Sequence, residues 1–460
     1  MDLCFEEGTL VLRGCPRRVV SPHGFSWDER RDVYRTPACR YREVVTLLGA
    51  DGSQWRDQAQ GYERITWSPT GTIEPRSYQS AAIDAWDAAG QRGVVVLPTG
   101  SGKSQVGIMA ICRSGRSSLV IAPTIDLMNQ WYELLCEHFG EARVGLMGGG
   151  THDLRQVTAA TYHSAYLHVE HWGHRYGFVL FDEVHHLPGP RFRHAAEMCL
   201  APFRLGLTAT LERPDGGHDL LDGLVGPVVF RQEIGNLAGT WLAPYRLERR
   251  EVAMVAEERS AYRVAEGEYR SFLRDKGVSL ASPGGWNTFV RLSGASGQGR
   301  RAMRAYREHR RIALGASGKR QVLERILKDH DSDRVLIFTQ DNDTVYDISR
   351  DLLIPAITHQ TPTRERRQLL LGFNAGEHLA LITSKVLNEG VNIPAASVAV
   401  VLSGSSTTRE HVQRLGRILR PVNGKQAVLY EVVTKGTVER EISRRRRQHS
   451  AYDDGPEDGE

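Results

Sequence analysis

The sequence has very little lysine. Only seven of its 59 basic residues are lysine, at positions 103, 276, 319, 328, 385, 425 and 435, and up to residue 275 Lys103 stands alone. A codon bias toward GC accounts for a general preference for arginine, but not for that exception. Guanidinium is planar and bulky, whereas ammonium is a compact point charge with three donors. A site that must insert one charge between phosphates would keep lysine. Cysteine is also sparse: the six at 4, 15, 39, 112, 136 and 199 include no CxxC pair. That argues against a zinc ribbon and against a disulfide scaffold, and it fits a reducing cytosol. No apolar run approaches the ~18 residues a membrane span needs. The opening MDLCFEEGTL has neither a basic stretch nor the hydrophobic run of a secretory leader. A cytoplasmic protein without a membrane partner is expected.

What is present is ordinary in bulk: 460 residues, 40% hydrophobic, 25% charged and a net charge of +4. That length suits about three domains. The informative segments are local. VVVLPTGSGKSQVGIMAICRSG (94–115) reads as a buried strand, a glycine loop and a helix. Glycines allow backbone N–H groups close to phosphates, and a helix N-terminus adds a favourable dipole. In this loop Thr99, Gly100, Ser101 and Gly102 would cradle phosphate, Lys103 would reach the β- and γ-phosphates, and Ser104 would ligate Mg²⁺. Leu97 stands where the strict phosphate-loop pattern has glycine.

FVLFDEVHHLPG (178–189) runs from four apolar residues into two carboxylates and two histidines. One reading is a metal nest, but HExxH and cysteine partners are absent. The other is the second half of a nucleotide site: Asp182 on Mg²⁺ and Glu183 polarising the attacking water. Ligands of doubly wound sheets gather at the carboxyl ends of the strands, which would bring the two segments together. His185 then suits interdomain coupling, with a plain surface histidine as the alternative.

Further strand-like segments lie at RLGLTATLERPDG (204–216), SDRVLIFTQDNDT (332–344), LALITSKVLNEGVNIP (379–394) and VAVVLSG (398–404). In HVQRLGRILRP (411–421), Arg414, Arg417 and Arg420 recur every three residues, as a solvated basic helix or as arginine fingers aimed at a phosphate. Between Arg246 and Arg320 there are 17 Lys/Arg against 8 Asp/Glu. There Arg300, Arg304, Arg307 and Arg311 share one helical face. Such a stripe suits the phosphate backbone, with salt-sensitive binding, or simply a solvated surface. At the N-terminus CFEEGTLVLRG alternates like a strand. Trp27, Tyr34 and Tyr41 interleave with arginines, either as core or as a platform for bases.

The ordered set PRSYQ, LPTGSGKS, APTIDL, TYHS, DEVHH, TAT, ITSKVLNEGVNIP and QRLGRILRP, spread over residues 75–421, resembles superfamily 2 helicases and most closely their XPB type. The resemblance implies an α/β fold of two RecA-like domains, with ATP in the cleft between them. A small N-terminal α+β domain resembling a damage-sensing module and an inserted helical thumb complete it. The domains expected are 1–70 (damage recognition), 71–250 (first RecA-like domain), 251–317 (thumb), 318–447 (second RecA-like domain) and 448–460 (a disordered acidic tail). The stretches SPGGW and SGASGQG would be flexible linkers within the thumb.

By the same resemblance, Gln79 would read adenine with Arg76 nearby, and Gly390 would lie close to the nucleotide. Thr208, Thr210, Gln413 and Arg414 would couple hydrolysis to domain closure, and Arg417 and Arg420 would be the fingers. Thr124, Thr161, Thr339 and Thr383 would touch the backbone of one DNA strand. Two departures stand out. Asn392 replaces the family's usual Asp, and Arg213-Pro214-Asp215 replaces an Arg-Glu-Asp element, which moderates a strand-separating role for Arg213 and Asp215. The implied activity is an ATP- and Mg²⁺-dependent 3′–5′ motor on single-stranded and forked DNA at the nucleoid, working in repair or transcription. A motor subunit for a partner nuclease is the second reading. No lysine follows Asp or Glu by two positions, so the usual (D/E)xK cutting motif is missing. A nucleotide-gated DNA clamp with little turnover is the third.

Overall fold

The computed structural model describes all residues except 16–23, 51–53, 71–73, 212, 214, 238–240, 242–243, 283, 385–395, 405–426 and 447–460. The chain forms two compact units, Met1–Glu233 and Ile234–Glu460. The boundary expected at 250 therefore moves toward the N-terminus, because residues 245–252 join the second unit's sheet.

The first unit opens with a five-stranded sheet ordered β3-β4-β2-β1-β5. Its strands are β1 (Asp2–Glu6), β2 (Thr9–Arg13), β3 (Ser26–Asp28), β4 (Val33–Pro37) and β5 (Arg56–Asp57), and helix α1 (Tyr41–Ala50) packs with it. The segment read as one alternating strand is a hairpin. Glu7 and Gly8 both have positive φ (47° and 73°), the backbone a tight two-residue turn demands. Tyr34 and Tyr41 are buried in this domain's core, and Trp27 packs edge-on against Tyr34 at 4.7 Å. The aromatics are therefore mainly core. Leu200 joins the same cluster, so the small domain shares its core with the chain of the next, larger sheet.

That larger sheet has the order β13-β6-β12-β11-β7-β10-β8-β9 and is parallel apart from β9. Its strands are β6 (Arg92–Val96), β7 (Ser118–Ala122), β8 (Val144–Gly148), β9 (Thr151–Asp153), β10 (Val157–Thr161), β11 (Phe178–Asp182), β12 (Phe203–Thr208) and β13 (Val228–Arg231). Buried parallel strands read as continuous apolar runs, and β7, β10 and β11 are buried along their whole length. Helices α2 (Ser77–Ala88), α3 (Lys103–Ser114), α4 (Ile125–Phe139) and α5 (Tyr162–Trp172) and the short α6 (Arg193–Glu197) and α7 (Leu221–Leu224) accompany them. Strand β12 lies between β6 and β11, which sets Thr208 between the two segments singled out in the sequence.

The second unit starts with the short α8 (Ile234–Leu237) and holds a six-stranded parallel sheet ordered β14-β19-β18-β15-β17-β16. The strands are β14 (Tyr245–Val252), β15 (Val335–Phe338), β16 (Ala356–Ile357), β17 (Ala380–Thr383), β18 (Val398–Val401) and β19 (Ala427–Thr434). Helices α12 (Gly318–Asp329), α13 (Asn342–Leu352), α14 (Thr363–Ala375) and α15 (Val438–Arg446) belong to it. Between β14 and α12 stand three helices, α9 (Ala256–Asp275), α10 (Gly285–Gly294) and α11 (Gly297–Leu314). The stretches expected as linkers belong largely to helix ends: Gly285 and Trp286 open α10, and SGASGQG runs from the last residues of α10 into the start of α11. Ser296 caps α11 by accepting from Gly299 N at 2.9 Å. A Cβ at Gly299 would meet the Leu292 carbonyl at 2.6 Å, so glycine here permits close approach to α10.

Candidate functional site

The loop between β6 and α3 carries two left-handed glycines, Gly100 (φ 86°) and Gly102 (φ 81°). A Cβ on Gly102 would lie 2.6 Å from Gln79 Nε2. The loop is tied from α2: Tyr78 donates its hydroxyl to the Ser101 carbonyl at 2.6 Å, and Gln79 Nε2 donates to the Ser101 and Gly102 carbonyls at 3.0 and 3.3 Å. Gln79 Oε1 accepts from Arg76 N at 2.9 Å, and Arg76 Nη1 donates to the Tyr78 hydroxyl at 2.9 Å. Gln79 is thus directed into the loop in this structure. Ser101 is buried, its Oγ on the Pro98 carbonyl at 2.7 Å. Lys103 Nζ donates to the Leu97 carbonyl at 3.3 Å, and Ser104 is exposed in the first turn of α3. Thr99 Oγ1 is buried and makes no hydrogen bond among the described residues.

Asp182 ends β11 and is buried. Its carboxylate accepts from Trp131 Nε1 at 2.8 Å and from Glu183 N at 3.0 Å. Burial, and then the adjacent Glu183 charge, raise its pKa above the usual carboxylate value, while the Trp131 N–H and Lys103 oppose the rise. Glu183 occupies the left-handed region (φ 46°, ψ 54°), uncommon for a side chain of its size. Such strain persists where surrounding structure enforces it, frequently at functional sites. Its Oε2 is buried without a hydrogen bond and lies 3.5 Å from His185 Nδ1.

From His185 a chain of contacts leads onward. His185 Nδ1 meets Thr208 Oγ1 at 3.0 Å, and Thr208 Oγ1 donates to the Thr210 carbonyl at 2.7 Å. The Leu97 N–H donates to the Thr208 carbonyl at 2.9 Å, which joins the glycine loop to the same strand end. Arg213 Nη1 donates to the His185 carbonyl at 2.5 Å, and its other nitrogens grip Asp215 at 2.8 and 2.5 Å. That grip holds Asp215 well below the usual carboxylate range. His185 is fully buried, so the surface-histidine alternative does not hold. No group of three or more His, Cys, Asp or Glu among the described residues is arranged to hold a metal.

The donors fit Mg²⁺ with a nucleotide. A glycine cradle, one ammonium and one carboxylate at the end of a buried strand stand together. The orphaned Thr99 Oγ1 and Glu183 Oε2 lie within these same two segments.

The four threonines expected on nucleic acid are engaged within the protein. Thr124 caps α4 by accepting from Leu127 N at 3.2 Å, and Thr161 caps α5 by accepting from Ser164 N at 3.1 Å. Thr339 Oγ1 donates to the Asp341 carbonyl at 2.9 Å, and Thr383 is fully buried. On α11, Arg300, Arg304, Arg307 and Arg311 are exposed, while Ala302, Ala305, His309 and Ile312 are buried on the opposite side. Gly390, Asn392, Gln413, Arg414, Arg417 and Arg420 lie outside the described residues. Sequence reasoning missed Tyr78 and Trp131. The readable signal for Trp131 was a glycine, Gly107, within the apolar stretch Val106–Ile111 of α3.

Three family models match the chain. Residues 3–59 match the Xeroderma pigmentosum group B helicase damage recognition domain, 72–213 the res subunit of type III restriction enzymes, and 318–422 the helicase conserved C-terminal domain. A DNA 3′-5′ translocase XPB2 of Sulfurisphaera tokodaii is 39% identical over 430 residues, covering 92% of this chain and 96% of that protein. The chain belongs to the XPB family of helicases. A second XPB relative, the DNA 3′-5′ helicase XPB of Mycobacterium tuberculosis, is 32% identical over 389 residues, 82% of this chain and 63% of that one. The helicase domain of Pyrococcus furiosus Hef covers 82% of this chain with a TM-score of 0.57 at 18% identity, a likeness of fold. XPB membership accounts for the two α/β sheets and the small N-terminal domain together.

Proposed function

We propose that this XPB-family chain is a DNA-dependent ATPase that moves 3′ to 5′ along DNA and opens damaged or promoter-like duplex, in repair or transcription at the nucleoid. The observation that carries it is the linked strand-end site: Lys103 in its glycine loop, Asp182 and Glu183 on β11, and the His185–Thr208 contact beside them. ATP is the substrate, and Ser104 and Asp182 would hold Mg²⁺, which offsets charge on the β- and γ-phosphates. Thr99, Gly100, Ser101 and Gly102 would shape the phosphate cradle, Gln79 would turn from the loop to read adenine with Arg76 nearby, and Gly390 would lie close to the nucleotide. Glu183 orients the attacking water, and Arg417 and Arg420 stabilise charge on the transferring phosphoryl group. His185, Thr208, Thr210, Gln413 and Arg414 carry the nucleotide state onward. Arg213 enters this relay through its bond to the His185 carbonyl, and with Asp215 it is a candidate wedge between strands.

The exposed arginine stripe of α11 would lie on the phosphate backbone. Thr124, Thr161, Thr339 and Thr383 would touch the backbone of one DNA strand, Thr124 and Thr161 through the helix ends they cap. A partner nuclease is the second reading, favoured by the restriction-subunit match of residues 72–213.

The test is unwinding of forked duplexes bearing a single 3′ or a single 5′ tail. Opening that needs ATP and the 3′ tail is expected. A 5′ requirement would overturn the polarity, and ATP turnover without strand opening on either fork would favour a duplex translocase.

A further inference from the structure

The carboxylate of Asp182 is not held by its own loop alone. Trp131, on the second turn of α4, is almost fully buried and donates its indole Nε1–H to Asp182 Oδ2 at 2.8 Å. The Glu183 N–H donates to Oδ1 at 3.0 Å. Each oxygen therefore has one fixed donor, and the plane of the carboxylate is set before any ligand arrives. A neutral donor also stabilises the buried anion without adding a counter-charge that would compete with a cation.

The seat of the indole is written into α3. Gly107 sits in that helix's interior, where glycine costs about 1 kcal/mol relative to alanine. A Cβ at this position would lie 2.6 Å from Trp131 Cη2 and 2.7 Å from Leu180 Cδ1. The helix that begins at Lys103 thus gives up a side chain where the ring passes. The Tyr162 hydroxyl donates to the Asp182 carbonyl at 3.1 Å, which fixes the backbone of the same residue from α5.

We propose that Trp131 is a positioning residue that orients the Asp182 carboxylate for Mg²⁺–nucleotide, with Gly107 as the seat that aims it. The inference rests on the reading of Asp182 as a metal-binding carboxylate. Removing a donor that orients a metal-binding group lowers metal affinity by about 10–100-fold.

The experiment measures binding of a non-hydrolysable ATP analogue by calorimetry across a Mg²⁺ titration, in full-length protein without DNA. Trp131→Phe keeps an aromatic ring and removes the N–H. It should raise the Mg²⁺ concentration for half-maximal binding by about 10–100-fold, with the melting temperature and metal-free nucleotide binding close to wild type. Excess Mg²⁺ should restore turnover, a rise in requirement rather than a loss of kcat. Gly107→Ala, which keeps the indole N–H but displaces the ring that aims it, should shift the Mg²⁺ requirement in the same direction. Asp182→Asn separates the two levels of the claim. If Asp182→Asn abolishes Mg²⁺-dependent binding while folded Trp131→Phe and Gly107→Ala leave it unchanged, the positioning role is wrong. If Asp182→Asn also leaves it unchanged, the underlying site is wrong.

Discussion

At the scale of single residues, the rarity of lysine carries more than one meaning. Lys103 stood out because its neighbours are glycines and a hydroxyl, where a compact ammonium suits the phosphate role proposed for it. Lys319 has a role of its own, and nothing in the sequence announced it. It is buried, and its Nζ donates to both Glu439 oxygens at 2.8 and 2.7 Å and to the Leu402 carbonyl at 2.5 Å. Glu439, fully buried, also accepts from Thr434 N at 2.8 Å. The partners are 120 residues apart in the chain, a distance no local pattern bridges. Removing one member of a buried pair leaves an uncompensated charge and costs about 3–5 kcal/mol. Lys319→Met should lose that much in urea denaturation, and adding Glu439→Gln should recover most of it. A loss under about 1 kcal/mol would contradict a buried charged pair.

At the scale of elements, the strands were legible and the turns were not. Strands β6, β11, β15, β17 and β18 lie where continuous apolar runs placed them, because parallel strands covered on both faces have no polar side to show. The Glu7–Gly8 turn was missed because a two-residue reversal hardly interrupts an alternating pattern. The glycine-rich stretches of the basic insertion form helix ends and starts because caps and close helix packing use the same residues as linkers do. His309 shows what this packing does to a titratable group. It stacks on Tyr262 at 4.2 Å and approaches Tyr269 at 5.1 Å, and burial pushes its pKa from 6.5 down to about 4. The unfolded chain binds the proton more readily, so stability is complete above pH ~6.5 and falls as pH drops toward 4. His309→Phe keeps the stacking and should flatten the decline in melting temperature across that window. An unchanged decline would mean other groups set the acid sensitivity.

At the scale of the whole molecule, the order of motifs made the α/β architecture and the family readable, since spacing and sequence order survive where single motifs are common. The end of the first RecA-like domain was not readable. Strand β14 has exposed and half-buried positions along most of its length and pairs with β19, about 180 residues later. The N-terminal aromatics were ambiguous for a similar reason: a core tyrosine and a base-stacking tyrosine look the same until the sheet shows which way it faces. The strand-end site was half legible. Its charged residues were visible as motifs, whereas Trp131 and Tyr78 act through folding contacts from other helices.

The central claim is that one site joins Lys103, Asp182 and Glu183 into an ATPase driven by DNA. The direct measurement is ATP hydrolysis with and without single-stranded DNA, for the wild-type chain and for Lys103→Ala, Lys103→Arg and Glu183→Gln. Stimulation by DNA in the wild type is expected. Glu183→Gln should lose turnover by about 10²-fold or more while still binding Mg²⁺–nucleotide, and both Lys103 variants should be severely impaired. Normal DNA-stimulated turnover in Lys103→Ala or Glu183→Gln would contradict the account.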